Sequence, residues 1–463
     1  MQTKNSTKPG HWRFPTWPPA VTFGLIFIIY LVVALLRLDP DFGWHLQAGN
    51  YFWIHGLPKT DIFTYTASNF PWVDHEWLSD VLLARLYNVG GYSLLCGLYA
   101  GLWTLSLWLV GRRAHGVVVL LAALATLPFT GVRAVTWSVL GLALLICLIQ
   151  AKRQRFWVLI PLLFLTWANV HGGFIAGLFY GVYDAIRRRS WLLIGLVAVG
   201  AFLTLVNPYG LGLYTEVWRT ISDTSLHSTI DEWSSFSMPW ITLPYIFLWL
   251  VGIVLVSAKK WRNHWRNLFG MDVLFFVASV SSMRNIVLFV IVSLEPTSQR
   301  IHSILATIPS KLDRPRQRFV ITMATLLSLA VLAIVVGAFW GVSLDREPLY
   351  PRNAVAYLRQ HPCEGNIFNH YDYGGYLIWK LPNQKVYIDG RMPSWQLGNH
   401  KYFNEYSEIL KSAHKREAQF AKYNVKCVIM SKKESGFIDD LKKQHWRVVA
   451  DDPKSLLLLQ PKK

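Results

Sequence analysis

The sequence predicts a polytopic α-helical membrane protein of about eleven spans, with a small extracytoplasmic α/β domain at its C-terminal end. Three observations lead there. Of 463 residues, 53% are hydrophobic and 16% charged, where a soluble domain carries about 25% charged residues. The apolar residues recur in stretches, several near the roughly 20 residues that a bilayer requires. Residues 345–463 hold no such stretch and mix both signs of charge.

The net charge of +19 would fit a nucleic-acid partner only if the cations formed a stripe that could follow a groove. They fall instead in short clusters between apolar stretches, the positive-inside pattern, and exclude that class. Residues 1–18 carry Lys4, Lys8 and Arg13 and are expected in the cytoplasm. Ala20 to Leu36 lacks a small-residue cleavage site and reads as a retained helix. Arg37 to Asp80 then emerges outside as a polar loop. Glu76 to Tyr87 reads as an amphipathic helix at the interface, and Gly91 to Val110 returns to Arg112 and Arg113.

The alternation continues. Gly116–Thr130 goes out and Ala134–Gln150 returns to Lys152, Arg153 and Arg155. Trp157–Val170 goes out and Gly173–Ile186 returns to Arg187, Arg188 and Arg189. Trp191–Val206 opens a second external loop, Asn207–Pro239. Trp240–Ser257 returns to Lys259, Lys260, Arg262 and Arg266. Leu268–Val280 goes out, Ile286–Leu294 returns to Arg300, Lys311, Arg314, Arg316 and Arg318, and Val320–Val342 goes out. In residues 345–463, Ala354–Arg359, Tyr402–Lys422 and Phe437–Gln444 read as helices. Lys385–Ile388, Val425–Met430 and Arg447–Ala450 read as strands, the alternation of an α/β domain. Cys363 and Cys427 share that region and could pair; Cys96 and Cys147 lie in apolar spans and pack.

This topology gathers the chemistry on one face. The first loop packs Asp39, Asp41, His45, Asp61, Asp74, His75 and Glu76 among four tryptophans, Trp44, Trp53, Trp72 and Trp77. In an extended Asp-Pro-Asp both carboxylates point to one side. A carboxylate against aromatic walls has a raised pKa that suits a general base; the bland alternative is a solvated, helix-capping acidic loop. Hard oxygen donors with His45 and the Asp74-His75-Glu76 run also make a divalent metal site chemically open, with magnesium or manganese ahead of zinc. The outer ends of other spans add Arg133, Asn169, His171, Glu232 and Arg284. Two arginines against the positive-inside bias either bind phosphate through their forked donors or pair with the loop's carboxylates. Asn169 and His171, in a tight WANVHGG turn, could satisfy backbone or reach a ligand. The turns at Asp372 and at Asp389-Gly390-Arg391 could present side chains to the same face.

An acidic motif directly after the first helix, with about eleven helices and an outer C-terminal domain, resembles the GT-C superfamily of polytopic glycosyltransferases. DPDFGWHLQAG, ANVHGG, NPYG, DEW, YDYGGYLIW and VYIDGR resemble more closely a group of bacterial and archaeal membrane proteins placed beside it. The resemblance implies inverting transfer of a sugar from a polyprenyl-phosphate carrier to a glycan, lipid or protein acceptor on the outer face. It places the base at Asp41, with Asp39 second, and a phosphate-stabilising role at Arg133 or Arg284. Asp-Pro-Asp stands where many members have adjacent Asp-Glu, and WWDYG, an oligosaccharyltransferase signature, is only echoed in YDYGGYLIW. The competing class, a transporter or flippase of a lipid-linked or polar solute, would place ionisable residues midway along broken helices in inverted repeats. Asp184 and Asp272 lie instead near the cytoplasmic ends, and no repeat is visible.

Overall fold

The computed structural model describes residues 19–226, 230–235, 238–259, 270–305 and 350–461. The expected last span, Val320–Val342, the N-terminal basic segment and the cations from Lys260 to Arg266 and from Lys311 to Arg318 lie outside those residues. The first helix, α1 (Pro19–Leu36), packs on α3 (Trp77–Gly111) and α4 (Gly116–Thr126). Helix α3 joins the expected interfacial helix to the expected span. The junction is Gly91, whose backbone leaves helical geometry at φ 65° and ψ −166°, a conformation open to glycine. The bundle continues through α5 (Val135–Ile149), α6 (Leu159–Val170), α7 (Phe174–Arg188) and α8 (Trp191–Leu203). Then come α10 (Leu243–Lys259), α11 (Met271–Ser281) and α12 (Ile286–Leu305). Its core is continuous and apolar, with Trp103, Phe164, Trp167 and Trp249 buried in it.

Among the described residues three stretches are long and apolar enough to cross a membrane unaided: Pro19–Leu36, Trp77–Gly111 and Trp240–Ser257. Four further apolar helices are shorter. The helix beginning at Ile286 runs past the expected end at Leu294, carrying Pro296 inside it; neighbouring helices satisfy the group a proline frees.

Both loops expected outside contain a helix that the sequence does not predict. Phe42–His55 forms α2, burying Phe42, His45, Leu46, Gly49 and Phe52 at helical spacing. Gly212–Ser222 forms α9, with Leu213 and Glu216 inward. Polar and aromatic residues dilute the apolar stripe in both, which hid the period.

The C-terminal domain is built on a four-stranded sheet. Its strands are β1 (Asn366–Asn369), β4 (Val425–Ser431), β5 (Arg447–Asp451) and β6 (Ser455–Leu459), in spatial order β1-β4-β6-β5. Strands β1 and β4 run parallel, and the other two pairs are antiparallel. A two-residue hairpin, β2 (Gln396–Leu397) with β3 (His400–Lys401), stands apart. Helices α13 (Arg352–Gln360), α14 (Gly374–Lys380), α15 (Tyr402–Lys411), α16 (Ala413–Lys422) and α17 (Ser435–Lys443) complete it.

Three expectations change here. Lys385–Ile388 joins no sheet, because the Asn369 amide takes the Tyr387 N–H and the Ile388 carbonyl, both at 2.8 Å. Val386 instead bridges Thr64 of the first loop. The expected helix Tyr402–Lys422 is two, since Ser412 is extended and its hydroxyl accepts the Lys415 N–H, an N-cap. The expected turn at Tyr373-Gly374-Gly375 begins α14. Strands β1 and β6 escaped notice; Leu456 to Leu458 is a uniform apolar run, which periodicity cannot assign.

The first loop and this domain share one core. Trp44, Phe52, Phe70 and Trp72 pack in the same cluster as Ile367, Tyr387 and Val428. A Cβ on Gly43 would lie 2.0 Å from the Gly375 carbonyl oxygen, so α2 and α14 cross at glycine contact. Cys363 and Cys427 form a disulfide that ties the segment before β1 to β4. Replacing both with serine is expected to cost about 2–5 kcal/mol, read as a fall in the thermal midpoint of the purified protein that reducing agent reproduces in the wild type.

Candidate active site

Ten of the twelve polar side chains singled out in the first loop and at the span ends line one cavity of about 200 Å³: Asp39, Asp41, His45, Asp74, His75, Glu76, Arg133, His171, Glu232 and Arg284; Asp61 pairs with Arg391 outside that lining. Asn169 does not line it either. Its amide oxygen accepts Trp77 Nε1 at 3.1 Å and its nitrogen donates to the carbonyls of Leu165 and Val206. That is the backbone-satisfying alternative.

The segment at Asp41 is not extended as expected. Asp41 sits at φ −86°, ψ −13°, and Asp39 Oδ1 accepts the Asp41 N–H at 2.9 Å. The other Asp39 oxygen takes Arg133 Nε at 2.7 Å, and Arg133 Nη2 donates to Glu232 at 2.8 Å. Arg133 is therefore matched by two carboxylates, which raise its pKa further against the effect of burial. Its forked donors are taken up by the protein. Arg133→Ala would leave Asp39 buried without its cation; such losses cost about 3–5 kcal/mol, and partly open Glu232 argues for the lower end. The expected readout is a lowered melting temperature with donor binding lost only in step with fold.

Asp41 is held differently. Its Oδ1 accepts Trp44 Nε1 at 3.0 Å. Burial pushes its carboxyl up to about 7, Asp39 adds to the rise, and His45, Trp44 and Arg133 oppose it. Gly390 of the C-terminal domain lies against it, where a Cβ would stand 1.8 Å from Oδ1. Gly390→Ala is expected to displace the carboxylate and cut activity about a hundredfold while the melting temperature holds. A restored rate in that variant at unchanged structure would contradict the assigned position of Asp41.

Behind Asp41 lies a network of imidazoles and carboxylates. Glu76 is within 3.2 Å of His171, 3.4 Å of His75 and 3.5 Å of His45. Burial alone would raise the Glu76 pKa; the three imidazoles hold it well below the usual range. His171 Nδ1 lies 2.6 Å from Ser138 Oγ and accepts the Gly173 N–H at 3.0 Å. Ser138 Oγ itself accepts from Trp167 Nε1, so its proton is free for His171. The network thus assigns the His171 proton to Nε2, facing Glu76. Burial lowers His171 to about 4, which keeps it neutral. Burial and Glu76 raise Asp74. Burial works against a charged His75, yet Glu76, Glu216 and Asp74 together raise it on balance.

His45 Nδ1 is 2.6 Å from Asp80 Oδ1. Ligand atoms of His45, Glu76 and Asp80 lie within 4.8 Å of one another, and buried Asp74 Oδ2 and Asp80 Oδ2 have no hydrogen-bond donor among the described residues. Two carboxylates, an imidazole and spare oxygens fit a divalent cation; the imidazole suits manganese better than magnesium.

Two features of this cavity were missed. Glu216, Tyr371, Ser394 and Trp395 also line it, together with Arg391, which the sequence did offer. Arg391 pairs with Asp61 and Asp389 and lies over the Trp72 and Trp395 rings at 4.5 and 5.1 Å. The DGR turn was its only signal. Asp372 is exposed beside His370 and lines no part of the cavity. The second feature is a larger apolar cavity of about 540 Å³ against the polar one, with His75, Val135, His171, Thr220, Trp233 and Arg284 common to both walls. Arg284 lies 4.4 Å from the Trp233 ring centre and makes no ion pair among the described residues. Burial lowers its pKa from a value far above neutrality, leaving a poorly solvated cation at the junction.

No family model matches the sequence, and no curated protein matches it. Solved structures do share its fold. The archaeal oligosaccharyltransferase AglB from Archaeoglobus fulgidus, in complex with an inhibitory peptide and a dolichol-phosphate, aligns at TM-score 0.56 and 13% identity over 90% of this chain and 70% of that one. A complex of the same enzyme with Zn and sulfate aligns at 0.55 and 14% over 89% and 68%. ArnT from Cupriavidus metallidurans aligns in its apo state at 0.53 and 13% over 96% and 99%, and another ArnT structure is bound to undecaprenyl phosphate. The chain therefore shares its helical fold with an oligosaccharyltransferase and with ArnT over most of its length.

Proposed function

We propose that this chain is a membrane glycosyltransferase that moves a sugar from a polyprenyl-phosphate carrier to an acceptor hydroxyl at the outer face of the membrane. The position of Arg284 carries the proposal. It is a half-buried guanidinium without a carboxylate partner among the described residues, where a polar, acid-lined cavity meets an apolar one. A molecule with a phosphate between a polar sugar and an apolar chain matches that order of surroundings. The ligands of the two similar folds, dolichol-phosphate and undecaprenyl phosphate, have that chemistry.

In this mechanism the acceptor oxygen attacks the anomeric carbon from the side of Asp41. The Asp41 carboxylate takes the acceptor proton as the new C–O bond forms. The bond from the anomeric carbon to the phosphate oxygen breaks with inversion, and the carrier phosphate leaves with the electron pair. Arg284 stabilises that developing charge. A divalent cation held by His45, Glu76 and Asp80 would supply further electrostatic stabilisation of the phosphate.

Charge and redox chemistry support the outer side of the membrane for this site. Basic clusters end the spans opposite this site, and a disulfide in the C-terminal domain suits an oxidising compartment. The eleven-span topology, with a cytoplasmic N-terminus, belongs to the same proposal.

Its test is binding. Purified protein in nanodiscs should bind a fluorescent polyprenyl phosphate saturably, with competition by unlabelled carrier and not by the free alcohol. Equal competition by the alcohol would remove the phosphate from the recognition and overturn the proposal.

A further inference from the structure

The largest cavity described here lies at the opposite end of the bundle from the acid-lined site and takes no part in the proposed transfer. It holds about 1060 Å³ between the ends of α3, α5, α7, α10, α11 and α12 that lead to basic clusters. Three carboxylates and three guanidiniums line it: Asp184, Asp272, Glu295, Arg187, Arg189 and Arg300.

Most of these charges are matched. Asp184 holds Arg187 at 3.0 Å and also Arg188. Asp272 accepts from Arg300 at 2.6 Å and from Trp249 Nε1 at 2.9 Å. Glu295 differs. Its only partner among the described residues is the neutral Gln299 amide, at 3.2 Å. Arg189, which ends α7 at φ 53°, makes no ion pair among the described residues. Among the described residues one anion, half-buried Glu295, and one cation, exposed Arg189, are left over in this cavity.

That balance selects the ligand. A phosphate monoester dianion would meet Glu295 and two further carboxylates that already hold their arginines. A simple cation would leave Arg189 unmatched. A headgroup with a phosphate diester and a primary ammonium completes both, and the ammonium brings the N–H donors that a carboxylate accepts. A trimethylammonium group has none. Apolar Val110, Ile146 and Ile291 complete the wall, which suits the acyl end of a lipid.

We infer that this second cavity binds the phosphate–ammonium headgroup of an aminophospholipid, with Glu295 receiving the ammonium and Arg189 the phosphate. The inference is independent of the sugar-transfer proposal, since it uses none of the same residues.

The experiment is lipid retention by native mass spectrometry on the full chain, delipidated and then offered phosphatidylethanolamine, phosphatidylcholine or phosphatidylglycerol. Wild type should retain phosphatidylethanolamine in a one-to-one complex in preference to the other two. Glu295→Gln, which keeps the size and the partner amide, should lower that retention about tenfold and leave phosphatidylglycerol unchanged. Arg189→Ala should weaken phosphatidylethanolamine as well. Equal retention of phosphatidylglycerol by wild type, or unchanged phosphatidylethanolamine in Glu295→Gln, would overturn the inference. Soluble glycerophosphoethanolamine that bound as tightly as the lipid would overturn the membrane source of the ligand.

Discussion

Asp41→Asn is expected to lower sugar transfer by about 10²–10⁴-fold, the usual contribution of a positioned general base, while carrier binding and melting temperature stay near wild type. Asparagine keeps the size of the side chain and still offers an oxygen to Trp44 Nε1. It cannot take a proton. Asp39→Asn should behave differently, because Asp39 neutralises Arg133 and caps the turn at Asp41; its main effect should be on stability. A pH profile separates the two roles. The base must be ionised to act, and burial pushes the Asp41 carboxyl up to about 7, against about 3.9 for an ordinary aspartate. Wild-type kcat/KM should therefore rise through pH 7 and level off above it. The residual rate of Asp41→Asn should lack that inflection.

Arg284→Ala should weaken carrier-phosphate binding and transfer together, by about 10²–10³-fold in kcat/KM, the range for losing one preorganised donor to a developing oxyanion. Arg284→Lys should recover only part, because a point charge replaces a forked donor. The contrast with Arg133 is the informative part. Both arginines stand at span ends away from the basic clusters, and the sequence offered them equally for the phosphate. In the folded chain two carboxylates match Arg133, whereas Arg284 faces a cavity junction with an aromatic ring at its back. Arg133 variants should lose stability first and Arg284 variants should lose donor affinity first.

The difference between these arginines shows what a sequence can carry for such a site. Alternating apolar spans and basic clusters put the acidic loop, His171, Glu232 and Arg284 on one face, and convergence follows from topology alone. Pairing does not. Which carboxylate meets Arg133 depends on the turn at Asp39 and on a second loop about 190 residues away by its numbering. Helix α2 was invisible because Trp44, His45, Gln47 and Asn50 interrupt its apolar stripe, yet His45 reaches Asp80 only through that helix. Glu216 was passed over for the same reason, sitting on a helix read as loop. Arg391 and Trp395 come from the C-terminal domain, and nothing local says that their turn packs against Trp44 and Trp72. Sheet order in that domain was equally hidden: β6, a bare run of leucines, lies between β4 and β5.

The most direct test of the central claim is transfer itself. Purified wild type in nanodiscs would be given a panel of polyprenyl-phosphate sugars labelled in the sugar, with membrane extract as acceptor, beside Asp41→Asn. The expected result is release of free polyprenyl phosphate and movement of label from at least one donor by wild type. Asp41→Asn should bind that same donor with wild-type affinity and release none above background. Equal turnover by the two proteins would remove Asp41 as the base. Failure of wild type to bind or consume any polyprenyl-phosphate sugar would contradict the transferase.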